Sequence, residues 1–151
     1  MSPPLSVSSL DERKLVSLVS EVTSSICGVA FSLASHVDPA PWLIATLPIS
    51  GGRPITVGLV SDEAGCRALA SGMLQCPPAT LDRALIEDTI REILNMVAGQ
   101  VKTAMSLDQA LGLPRIISAD KLDDRLRVPD KRVGMASGAL ALTLMIASGT
   151  Y

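Results

Sequence analysis

Leu15, Leu18, Val19, Val22 and Ile26 recur at the three-and-four spacing of a helix that buries one face. Ser9 or Asp11 can cap its start, near Leu10. Asp11 and Glu12 suit the positive end of the helix dipole, and Gly28 marks the other end. Two apolar runs follow, 42-WLIATLPI-49 and 54-PITVGLV-60, which read as strands joined by the turn Ser50-Gly51-Gly52-Arg53. Ser61 can cap a short helix that opens with Asp62 and Glu63, runs to about Leu74 and is stopped by Pro77 and Pro78. Thr80 is the candidate cap of a long helix reaching about Met105.

Beyond it, 106–112 reads as a loop and 113-LPRIISAD-120 as a short strand. Residues 120–132 are charged, with a turn signal at Pro129-Asp130. The run 138-GALALTLMIASG-149 fits a buried strand or a short helix; its bounding glycines favour the strand. The segment 36-HVDPAP-41 interrupts the pattern, and residues 1–9, rich in Ser and Pro, read as a flexible tail. The expected organisation is thus one domain over 10–151. Its class is α+β, a mainly antiparallel sheet with two long helices packed on it.

The long helix separates its faces cleanly. With Ile86 at zero, Ile90, Ile93, Leu94, Val97, Val101, Ala104 and Met105 fall within an arc of roughly 120°. Asp88, Glu92, Asn95, Gly99 and Lys102 gather within roughly 80° on the opposite side. On periodicity alone a polar helix face is most often just solvated. Gly99 adds a question, because glycine inside a helix costs about 1 kcal/mol relative to alanine. A tolerated defect, a close helix contact or a smooth patch for another surface would each account for it.

The first helix echoes this one. Aligning 17-SLVSEVTSSICG-28 with 88-DTIREILNMVAG-99 matches Glu21 to Glu92, Gly28 to Gly99 and Ser24 to Asn95. Two amphipathic helices always share an apolar period, and one pair of segments can match by chance. The shared acid and glycine nonetheless suggest a degenerate duplication into two helix-plus-strands halves.

Composition narrows the function classes. The chain has 151 residues, 48% hydrophobic, with one Phe, one Trp and one Tyr, so the core is aliphatic. A net charge of -2 gives no basic footprint for nucleic acid. No apolar run approaches the ~20 residues of a membrane span. The N-terminus lacks the apolar region of a signal peptide, and a cytoplasmic location is the default expectation. Cys27, Cys66 and Cys76 are widely spaced and His36 is the single histidine, so no metal site is expected. All three cysteines are expected to be small buried hydrophobes.

The residues of the long helix carry a family resemblance. The spacing Asp88, Glu92, Asn95, followed by Pro114 in 113-LPRII-117, resembles the signature of the CheC/CheX/FliY chemotaxis phosphatases, and the run 91-REILNMVAGQVKTAM-105 is similar to that of the CheX branch. Pro114 comes a few residues earlier than the CheC-type spacer. Ser24 cannot present a carboxamide, so one active helix per chain is expected.

The resemblance implies a phosphatase acting on the aspartyl phosphate of a CheY-type response regulator. In it, Asn95 would orient the attacking water and Glu92 would pair with a receiver lysine. Asp88, Gly99 and Lys102 would be partner-contact candidates, although Asp88 and Lys102 also have plain solvating and dipole-complementing roles. The resemblance further implies no cofactor in this chain, Mg²⁺ on the partner receiver, and a homodimer formed through the sheet. A catalytically silent adaptor that binds a receiver is the alternative. A purely structural dimer module would require the Glu92–Asn95 face to be buried.

Overall fold

The computed structural model describes residues 6–34 and 40–151, apart from the side chain of Ser8. His36 and most of the interrupting segment lie outside the described residues. The two long helices and the shorter one between them begin the same way. An aspartate stands just before the first turn and its carboxylate accepts a backbone N–H that the helix itself cannot satisfy. Asp11 accepts from Arg13 at 2.9 Å, ahead of α1 (Glu12–Cys27). Asp62 accepts from Gly65 at 2.8 Å, ahead of α2 (Glu63–Leu74). Asp82 accepts from Leu85 at 2.9 Å, ahead of α3 (Arg83–Ala104). The expected caps Ser61 and Thr80 are displaced by these charged and stronger acceptors. Ser61 stays in a strand and donates its hydroxyl to the Ala141 carbonyl at 2.7 Å. Thr80 closes a 3-10 turn, Pro78–Thr80. Gly28 ends α1 with φ 72, a left-handed conformation that glycine adopts without steric cost.

Among the described residues, six strands form one antiparallel sheet: β1 (Ser32–Leu33), β2 (Leu43–Ile49), β3 (Ile55–Ser61), β4 (Arg115–Ile117), β5 (Lys131–Ser137) and β6 (Leu140–Ser148). Their spatial order is β1-β5-β6-β3-β2-β4. Exchanging β1, β2 and β3 for β4, β5 and β6 gives the same order read backwards. The two halves are therefore related by a pseudo-twofold about the β3–β6 pair, and each half's short strand is paired with the other half. This is the duplicated architecture expected from the helix echo. The shared glycine is not part of that logic, since Gly28 caps a helix while Gly99 lies inside one.

One sheet face and the three helices make a continuous aliphatic core. Leu15, Val19, Ile86, Ile93, Leu94, Val97 and Val101 meet Leu47, Val57, Leu59, Leu144 and Ile146 there. The opposite face carries Ile44, Val60 and Met145, with Leu122 against them. A single-turn helix, α4 (Asp124–Arg127), lies beside β6 on that half of the molecule and buries Leu126. At the crossing of α1 and α2, glycine is required at position 72. A Cβ there would collide with the Cys27 carbonyl.

Several expectations need correction. β5 begins inside the stretch read as charged, at Lys131 and Arg132, and continues through residues to which no element was assigned: only Val133 and Met135 of its seven residues are deeply buried, so its alternation is short. β1 and α4 are too brief for a periodic signal and exist through tertiary pairing. Val7–Ser9, expected within a flexible tail over 1–9, forms a 3-10 turn, and Val7 is buried against the main core; residues 1–5 lie outside the described residues. Cys27 and Cys66 are buried as expected, but Cys76 is exposed.

Candidate functional site

The start of α3 is clasped to the sheet. The Arg83 guanidinium lies 4.3 Å from the centroid of the Trp42 ring and donates to the Trp42 carbonyl at 3.2 Å. Arg67 of α2 donates to the carbonyls of Pro78 and Leu81 at 3.0 and 2.9 Å, which fixes the approach to α3. The inward face of α3 is sealed: Ile86, Ile93, Leu94, Val97 and Val101 have no exposed surface. Rotation of the helix about its axis would expose this stripe, so the direction of its outward residues is set by the core.

Along the outer surface, the charges divide by spacing. Arg83 pairs with Glu87 at 3.0 Å, Arg91 with Glu87 at 3.6 Å, and Arg91 with Asp88 at 2.8 Å. Each of these pairs is three or four residues apart, the separation at which helical side chains meet. Glu92 is excluded from this chain of ion pairs. Its neighbours at i-4, i-3, i+3 and i+4 are Asp88, Thr89, Asn95 and Met96, none of them basic. Arg91, adjacent in sequence, is held by Asp88 and Glu87. Glu92 and Asn95 are both exposed, and neither side chain has a hydrogen bond or ion pair among the described residues.

The five polar positions expected on one face are thus on one face, but in three different states. Glu92 and Asn95 point outward with their polar atoms uncommitted. Asp88 is exposed and engaged by Arg91. Gly99 and Lys102 are half-buried. A Cβ on Gly99 would meet only the Leu111 side chain, at 4.0 Å, so no close helix contact within the chain requires glycine there. Lys102 stands in the last turn, where a cation complements the helix dipole. Pro114 is half-buried at the entry to β4. Sequence reasoning did not single out Arg83, Arg91 or Trp42, although the 83/87/91 spacing was legible as a ladder of i, i+4 pairs.

The matching face of α1 differs. Ser24 leans its hydroxyl toward the Val29 carbonyl at 3.5 Å, and Ser20 accepts from the Phe31 backbone N–H at 2.8 Å. Glu21 borders a groove of about 570 Å³ shared with Arg13, Phe31 and Leu33. This face is used partly to anchor the chain leaving α1.

On α3, then, a carboxylate and a carboxamide sit one turn apart, about 4.5 Å along the axis, on a helix that cannot turn. The amide can accept a hydrogen bond through its oxygen and donate through its nitrogen, and the carboxylate can pair with an external cation. Neither needs an unusual proton affinity to do so.

Comparison with known proteins agrees with this architecture. The solved chemotaxis protein CheX from Vibrio vulnificus is similar at 14% identity, with 89% of this chain and 93% of that one covered and a TM-score of 0.71. The CheX–CheY–BeF3–Mg²⁺ complex from Borrelia burgdorferi contains a chain similar at 12% identity, covering 92% of this chain and 98% of that one, with a TM-score of 0.66. A CheC-like superfamily protein from a Shewanella species is similar at 15% identity, covering 94% and 97%, with a TM-score of 0.66. At these identities the likeness shows the fold. Among curated proteins, none matches the sequence. No helix of the described residues is long and apolar enough to cross a membrane. The model of the family described as chemotaxis phosphatase CheX matches residues 43–135, a span that holds β2 through most of β5 and includes Glu92 and Asn95. The chain belongs to the CheX chemotaxis phosphatase family.

Proposed function

We propose that this protein accelerates hydrolysis of the aspartyl phosphate on a CheY-type response regulator. One observation carries the reading: on the outer face of a core-locked helix, Glu92 and Asn95 are exposed and uncommitted, while the charged residues beside Glu92 on that helix, Asp88 and Arg91, are already paired. Asn95 would enter the receiver's phosphorylation site, accept a hydrogen bond from a water through its amide oxygen, and hold that water in line with the phosphorus. The water oxygen bonds to phosphorus as the bond to the aspartyl oxygen breaks. The receiver carboxylate and inorganic phosphate are released, and both of the water's protons leave with the phosphate, as dihydrogen phosphate. Such transfers respond mainly to positioning and electrostatics. Glu92 would pair with a lysine of the receiver and fix the docking register. Mg²⁺ would be held by the receiver. The family resemblance supports a second copy joined through the sheet as the working assembly.

The two residues are separable by experiment. Asn95→Ala removes the acceleration, a loss of at least tenfold in turnover, while binding to the phosphorylated receiver persists. Glu92→Ala weakens both binding and turnover. Wild-type rates in Asn95→Ala contradict the water-orienting role. An unchanged affinity in Glu92→Ala contradicts the lysine pairing.

A further inference from the structure

Two of the exposed large apolar side chains flank Glu92. Leu85 is 45% exposed and Met96 is 40% exposed. On the α3 wheel Leu85, Glu92 and Met96 fall within about 40° of one another, spread over about 16 Å of helix. The other flank of the same surface carries the ion-paired Arg83, Glu87, Arg91 and Asp88. A functional polar residue thus stands between two apolar side chains, with a polar border on one side. A protein interface has this anatomy: apolar contacts at the centre and charge at the rim.

We infer that Leu85 and Met96 are the apolar anchors of the surface that docks the receiver, and that they contribute to affinity and to the choice among receivers. The inference rests on the phosphatase reading for its partner. The uncommitted carboxylate between the two side chains selects a partner with a cation at the centre of its contact, as a receiver's phosphorylation-site lysine would be. The span from Leu85 to Met96 fits within the footprint of about 800 Å² per partner of an ordinary protein complex. Met96 has the unbranched, adaptable side chain suited to contacts with more than one partner surface. Both positions tolerate replacement, since glutamine keeps the length and the helix propensity while removing the apolar surface.

The test compares wild type with Leu85→Gln, Met96→Gln and, as a control, Val128→Gln, which alters an apolar residue 83% exposed next to α4. Binding is measured to CheY-type receivers loaded with Mg²⁺ and beryllofluoride, and KM and kcat are measured with the phosphorylated receivers. The expected result is a rise of about three- to tenfold in Kd and KM for each α3 variant, from apolar area no longer buried. Turnover at saturating receiver is retained, and the Val128 variant behaves as wild type. Unchanged Kd and KM in both α3 variants, with wild type active, overturn the anchors and leave the phosphatase reading standing. A wild type that binds without accelerating decay overturns the phosphatase reading, and the variants' affinities still judge the anchors. Absence of receiver binding by wild type overturns both.

Discussion

Glu92 is uncommitted because of what lies one turn away on either side of it. Glu87 has arginines at i-4 and i+4, Asp88 has one at i+3, and Glu92 has none. This difference was readable from spacing, and the outward direction of Glu92 and Asn95 was readable from the apolar period. The states of Asp88, Gly99 and Cys76 were not, since they depend on side-chain pairing and on which loops cover which surface. The cysteines supply a residue-scale prediction. Burial raises the thiol of Cys27 to about 11 and that of Cys66 to about 12, whereas Cys76 is exposed. A thiol reagent at pH 8 is expected to modify one cysteine in the native protein and all three in denaturant, and Cys76→Ser removes the native reaction. Equal fast reaction of all three in the native state would contradict the burial. The same shifts favour the folded state fully below about pH 9, and that contribution fades as the pH rises through about 11 to 12.

Long elements announced themselves in the sequence and short ones did not. The 22 residues of α3 carry enough turns for its stripe to be unmistakable. The hairpin of β2 and β3 has an apolar run on each side of a glycine turn. β1 has two residues and β5 buries deeply only at two positions, so their existence is decided by the partners beside them. Close approach of elements is equally hidden: Gly72 reads as an ordinary mid-helix glycine until α1 is laid across it. Gly72→Ala should gain helix propensity yet destabilise the fold by about 1–3 kcal/mol, because the added methyl meets backbone that cannot move aside. Its urea midpoint is expected to fall; a midpoint equal to or above that of wild type would contradict the tight crossing.

At the scale of the whole molecule, the pseudo-twofold explains both the helix echo and the exchanged edge strands, but the two halves have diverged in use. The α1 face has serine where α3 has asparagine and spends hydroxyls on its own backbone. Glu21→Ala is therefore expected to leave receiver dephosphorylation at the wild-type rate, and a loss of tenfold or more would mean that α1 shares the work.

The most direct test of the central claim is the decay of phosphorylated CheY-type receivers in Mg²⁺, followed with and without this protein. Wild type should shorten the lifetime of at least one receiver, and Asn95→Ala should restore its intrinsic decay. Unchanged decay of every receiver in the presence of wild type would contradict the account and leave the Glu92–Asn95 face as a binding surface without chemistry.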